Sequence, residues 1–122
     1  MSPKILIVED NDRNRRLIRI VLKAKGYEVI EATTAEEAII QVNNEPIALI
    51  LMDIQLPKMD GLELTQKIKE SPDTKDIPII ALTAYAMKGD KEKFLNSGCD
   101  AYIGKPINTK ELPKIIADFL KD

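Results

Sequence analysis

The chain has 122 residues, 44% hydrophobic and 31% charged, with a formal net charge of −2. That is the length of one ordinary domain, enough to bury a core, and the charge is too small and too mixed for a nucleic-acid surface. No apolar run approaches the ~20 residues of a membrane span, MSPKILIVED lacks signal-peptide organisation, the lone Cys99 allows no internal disulfide, and the absence of histidine removes imidazole chemistry.

Those exclusions predict a single cytoplasmic domain, residues 1–122, with no nucleic-acid partner and no membrane partner. Lys4–Val8 reads as the first strand. Asn11–Lys25 follows at helical period, with Asn14, Leu17, Ile18, Val21 and Leu22 on one face and Gly26 as its stop. Glu28–Ala32 is the second strand. Thr34 and Glu37 have the spacing of a capping box for a helix whose inner face is Ala35, Ala38, Ile39 and Val42. Ile47–Met52 is the third strand, and Gly61–Glu70 is a helix with Leu64 and Ile68 inward, ended by Ser71 and Pro72.

Ile77–Leu82 is the fourth strand. A weaker helix, Ala86–Ser97, carries Phe94 and Leu95 and stops at Gly98. Ala101–Ile103 is the fifth strand, and a last helix starts near Asn108 with Glu111 as capping partner. Pro113 removes a backbone donor about one turn into it, so a late start or a kink is expected. Several strand runs are nearly continuous in Ile, Leu and Val, as in strands buried on both faces of a parallel sheet. Five strand–helix units of this kind build a parallel sheet with helices on both faces.

Such sheets bind ligands at the carboxyl edge of the strands. Glu9 and Asp10 follow the first strand, Asp53 the third, Thr83 and Ala84 the fourth, and Gly104, Lys105 and Pro106 the fifth. Three carboxylates cannot share a small pocket without cations. Lys105 offsets one charge, and a hard divalent ion suits the remaining all-oxygen set: Mg²⁺, with Mn²⁺ as the alternative. Asp10 and Asp53 are the expected direct ligands, with Glu9 acting through water and the Gln55 backbone carbonyl as a further ligand. A carboxylate beside such an ion can attack a phosphoryl group and become an aspartyl phosphate. Thr83, Lys105 and the backbone N–H of Ala84 would then neutralise the phosphoryl oxygens.

VED, LMDIQLPKMDG, ALTA and GKP, in this order and at this spacing, resemble the receiver domain of two-component response regulators. The resemblance runs from Lys4 to the last helix and implies a stand-alone receiver with no output domain. It implies a flavodoxin-like (βα)5 fold, a doubly wound five-stranded parallel sheet of strand order 2-1-3-4-5. It implies Asp53 as phosphoacceptor, Glu9 and Asp10 as the acidic pair for the metal, and Thr83 with Lys105 as phosphoryl-binding groups. It also implies Thr83 and Tyr102 as a switch pair, and a cis Lys105–Pro106 peptide.

The phosphoryl donor would be a histidine kinase or a histidine phosphotransferase. It would dock beside the first helix, with Asn14, Arg15 and Pro106 in contact. The signal would pass to an effector protein through the surface of the fourth helix, fifth strand and last helix, in a monomer or a weak homodimer. VEDNDRNRRL resembles receivers of phosphorelays and of cell-cycle or sporulation circuits.

Other functions fit the residues less well. An aspartate-nucleophile phosphatase needs a second acid where Gln55 stands, and glutamine cannot cycle a proton. A flavin or nucleotide module needs a Gly- or Ser/Thr-rich loop after the first strand, where EDNDR would repel phosphate. A receiver-like interaction module that is never phosphorylated stays open. The chain thus reads as a signalling phosphoacceptor whose only catalysis is its own phosphorylation and dephosphorylation.

Overall fold

The computed structural model describes residues 3–56, 60–84 and 96–120. Five strands alternate with helices: β1 (Lys4–Val8), α1 (Asp12–Ala24), β2 (Glu28–Ala32), α2 (Ala35–Asn44), β3 (Ile47–Asp53), α3 (Gly61–Glu70), β4 (Ile79–Thr83), β5 (Ala101–Gly104) and α4 (Glu111–Phe119). The strands form one parallel sheet in the order β2-β1-β3-β4-β5. The helix expected over 86–97 falls, except for its last two residues, outside the described residues. So do Pro57, Met59, Tyr85, Met87, Phe94 and Leu95.

The continuous apolar runs are explained by burial on both sides. Leu6, Val8, Ile50, Met52, Ile79 and Ala81 pack against Ala35, Ala38 and Val42 of α2 and Leu62, Leu64 and Ile68 of α3. Their neighbours Ile5, Ile7, Leu49, Leu51, Ile80 and Leu82 pack against Ile18 and Leu22 of α1 and Leu112 and Ile116 of α4. Successive side chains of one strand therefore serve opposite layers. Ile5–Val8 of β1 and all five residues of β4 are buried, so these inner strands have no wet face.

The helix ends show where local chemistry departs from the expected pattern. Asn11 caps α1, its Oδ1 accepting from Asn14 N–H, and Gly26 ends the helix with φ +88°. Within α1 the inner stripe is narrower than predicted: Ile18 and Leu22 are buried, but Leu17 is 38% exposed. At α2, Thr34 caps Glu37 N–H as expected, yet the Glu37 carboxylate does not close the box on Thr34. It accepts instead from the N–H and hydroxyl of Thr33, one residue further back.

β4 begins at Ile79, two residues later than predicted, because Pro78 has no N–H to pair. α4 starts late, at Glu111, which puts Pro113 in its first turn, where no intrahelical donor is required. The cap there is Asn108, whose Oδ1 accepts from Lys110 and Glu111 N–H groups; Glu111 is a donor to the cap.

Candidate functional site

Register brings the acids together. Val8 of β1 aligns with Met52 of β3, so Glu9 and Asp53, each one residue further on, emerge side by side at the carboxyl edge. Thr83 aligns with Gly104, so Lys105 follows directly beside Thr83, and Lys105 N–H donates to the Thr83 carbonyl at 2.7 Å. The Lys105–Pro106 peptide is cis.

Glu9, Asp53 and Thr83 are buried, while Asp10 is exposed. Carboxylate oxygens of Glu9, Asp10 and Asp53 lie within 4.8 Å of one another. Lys105 Nζ stands 3.1 Å from Glu9 Oε1 and 3.2 Å from Asp53 Oδ1. Asp53 Oδ1 also accepts from Gln55 N–H at 3.0 Å, and Glu9 Oε2 accepts from Asn11 N–H at 3.3 Å. Glu9 Oε1 is buried beside Lys105 Nζ, and among the described residues no well-aligned hydrogen bond is directed at it.

The electrostatics follow from this packing. Burial, then the neighbouring Asp53, push the Glu9 carboxyl up to about 7 against the pull of Lys105. Burial works against the Lys105 ammonium, but pairing with Glu9 and Asp53 outweighs it and holds its pKa above the usual lysine value. Three acids against one lysine leave the pocket short of positive charge. The all-oxygen donor set and the undirected Glu9 Oε1 fit a hard divalent ion. Asp10 and Asp53 would hold it, with Glu9 behind.

The turn between β3 and α3 closes around Asp53. Ile54 N–H donates to the Leu82 carbonyl, Gly61 N–H to the Ile54 carbonyl, and Gln55 pairs with Asp60 in an isolated bridge. Asp60 then caps α3 by accepting from Leu62 N–H. Gln55 and Ala84 are exposed at this edge, and Tyr102 is half-buried on the layer shared with α2 and α3. Pro106 is exposed and Asn14 half-buried.

Arg15 of α1 makes its contacts within the chain. Its side chain is 17% exposed, and its donors go to Glu31, Asp12 and the Glu9 carbonyl. Arg19 joins it on Glu31. The pairing of Arg15 with Glu31 was not anticipated. The available signal was a second charged residue, Glu31, in the otherwise apolar run that follows Glu28.

Comparison with known proteins bears on this geometry. The family model described as "Response regulator receiver domain" matches residues 5–117. The chain is similar to the polar-differentiation response regulator DivK of Brucella ovis, 43% identical over 122 residues, covering 100% of this chain and 99% of DivK. A putative response regulator of Chloroflexus aurantiacus superimposes with a TM-score of 0.94 at 31% identity, over 100% of both chains. The receiver domain of a sensor histidine kinase of Pseudomonas aeruginosa, with a magnesium ion coordinated in its active-site cleft, does so with 0.91 at 34%, again over 100% of both.

Proposed function

The chain belongs to the response regulator receiver domain family, the phosphoacceptor modules of two-component signalling, and we propose that it takes a phosphoryl group onto Asp53 from a phosphohistidine. The observation that carries this reading is the convergence of Glu9, Asp10 and Asp53 with Lys105 Nζ 3.2 Å from Asp53 Oδ1. In the transfer, an Asp53 carboxylate oxygen bonds to phosphorus as the phosphorus–nitrogen bond of the donor breaks. The imidazole leaves with the electron pair and takes a proton from water.

Lys105 and the Thr83 hydroxyl are set to bind two phosphoryl oxygens, with Ala84 N–H as a further donor. Gln55 N–H orients the nucleophile. Asp10, Asp53 and the Gln55 carbonyl would hold Mg²⁺, with Glu9 acting through water, and the ion would supply positive charge where the transition state is most negative; Mn²⁺ suits the same donors. Asn14, Arg15 and Pro106 are the docking positions for a histidine kinase or phosphotransferase.

Thr83 and Tyr102 form the proposed switch. Movement of Thr83 toward the phosphate opens space for Tyr102, altering the surface of β5 and α4 that an effector protein reads. No described helix is long and apolar enough to cross a membrane, and a cytoplasmic site of action fits a donor kinase. The test is intact-protein mass spectrometry after incubation with acetyl phosphate, with and without Mg²⁺. One alkali-labile adduct in the wild type, requiring Mg²⁺ and missing in Asp53→Asn, supports the reading. An adduct that persists in Asp53→Asn overturns the assignment of the acceptor.

A further inference from the structure

We propose that Arg15 is a positioning residue for the metal site, acting through the peptide that joins Glu9 to Asp10. This deepens the reading of the acidic pocket and rests on it. Arg15 Nη1 donates to the Glu9 carbonyl at 3.1 Å. That carbonyl belongs to the planar unit linking the two acids, so fixing it fixes the relative placement of the two Cα atoms from which their side chains leave. The Glu9 N–H on the other side donates to the Ala32 carbonyl at 3.0 Å. Arg15 is itself anchored on the same strand, its Nε donating to Glu31 Oε1 at 3.0 Å. The backbone of Glu9 is thereby tied to β2 at both its donor and its acceptor.

Among the described residues, the other bond that spans Asp10 is the longer one from Asn11 N–H to Glu9 Oε2, at 3.3 Å. Asp10 is exposed, and the next fixed point in the chain is Asn11, the cap of α1. A guanidinium can serve this post because its planar fork meets several acceptors at once. Arg15 uses Nε on Glu31, Nη1 on the Glu9 carbonyl and Nη2 on Asp12. Arg19 provides an internal comparison. It carries the same charge on the same helix and pairs with both oxygens of Glu31, at 3.0 and 2.9 Å, but its bonds do not extend to Glu9.

The sign of the effect separates positioning from simple electrostatics. Deleting a positive charge near an acidic pocket should tighten Mg²⁺ binding. Loss of a positioning contact should weaken it, typically about tenfold for groups that orient metal ligands. The experiment is calorimetric titration of Mg²⁺ into the wild type, Arg15→Met, Arg15→Lys and Arg19→Met, with circular dichroism on each. Expected are a Kd raised about tenfold in Arg15→Met, a shift in the same direction in Arg15→Lys, where the charge stays but the fork is gone, and no weakening in Arg19→Met.

Mg²⁺ binding in both Arg15 variants as tight as in the wild type overturns the proposal while leaving the phosphoacceptor reading intact. Equal weakening in Arg19→Met overturns it too, because the effect would then belong to Glu31 alone. If Arg15→Met fails to fold, Arg15→Lys decides. A wild type that neither binds Mg²⁺ nor labels on Asp53 removes the functional reading and this inference with it.

Discussion

A Cβ on Gly61 would lie 2.3 Å from the carbonyl oxygen of Asp53 and 2.7 Å from Ile54 Cα. The start of α3 is therefore pressed directly against the backbone that carries the proposed phosphoacceptor. The Gly61 N–H completes the contact by donating to the Ile54 carbonyl at 2.8 Å. Backbone cannot give way as a flexible side chain can. Gly61→Ala must push α3 off the sheet edge or shift Asp53, at a cost of about 2 kcal/mol or more. Urea denaturation is expected to show the lower midpoint, and acetyl phosphate labelling of the folded fraction should slow. An unchanged midpoint would show that the turn accommodates the methyl group.

Glu9 gives the metal-free protein an unusual pH profile. Its folded carboxyl titrates near 7, raised by burial first and by Asp53 second, against 4.5 when unfolded. Between those values the folded state binds a proton that the unfolded state does not. The contribution of Glu9 is fully present below the unfolded value and is lost as pH rises through about 7. The slope is at most about 1.4 kcal/mol per pH unit, less after solvent screening. Denaturation in EDTA from pH 5 to 8 should show stability falling, with Mg²⁺ reversing the loss at the upper end. In Asp53→Asn the fall should shrink, because one cause of the raised value is gone. A profile that climbs steadily over this range would contradict the assignment.

Lys105 lies between the two buried acids, and its removal should be felt most when both are charged. Lys105→Met leaves Glu9 and Asp53 without their shared cation, a loss of roughly 2–4 kcal/mol for a buried ionic cluster broken on one side. At low pH Glu9 takes up a proton and the loss should diminish. The same substitution should strengthen Mg²⁺ binding, since a competing positive charge has been removed. Denaturation at pH 5 and pH 8, with calorimetric Mg²⁺ titration alongside, tests both. A stability loss independent of pH would mean that Lys105 matters for its alkyl packing alone.

The sheet, its order and the edge where the acids gather were legible because they depend on period and spacing. β4 reads IIALT and every residue is buried, which a parallel central strand requires. What escaped the sequence is contact between residues far apart in the chain. The Nε of Arg15 is committed to a strand sixteen residues away, and a run of arginines on a helix gives no hint of which one turns inward. The box expected at Thr34 failed because Thr33 offered Glu37 two donors in place of one. The closeness of Gly61 to Asp53 depends on how the turn folds back, which local pattern does not encode.

Asp100 belongs to the same class of long-range contacts and yields the last prediction. Its Oδ2 accepts from Ile79 N–H at 2.8 Å and from Lys69 Nζ at 3.0 Å, while its own N–H donates to the Ile79 carbonyl. One side chain thus joins the start of β4, the end of α3 and the approach to β5. Lys69 Nζ also donates to the Ile77 carbonyl, which fixes the segment entering β4. Asp100→Ala strands the Ile79 N–H in a partly buried position and should cost about 1–2 kcal/mol. Asp100→Asn keeps an acceptor for that N–H and loses only the half-exposed ion pair, so it should cost about 0.5 kcal/mol. Hydrogen exchange separates the two contributions: the Ile79 amide should lose protection in Asp100→Ala and keep most of it in Asp100→Asn. Equal loss in both would assign the stabilisation to the Lys69 pair and not to the bond across the strand ends.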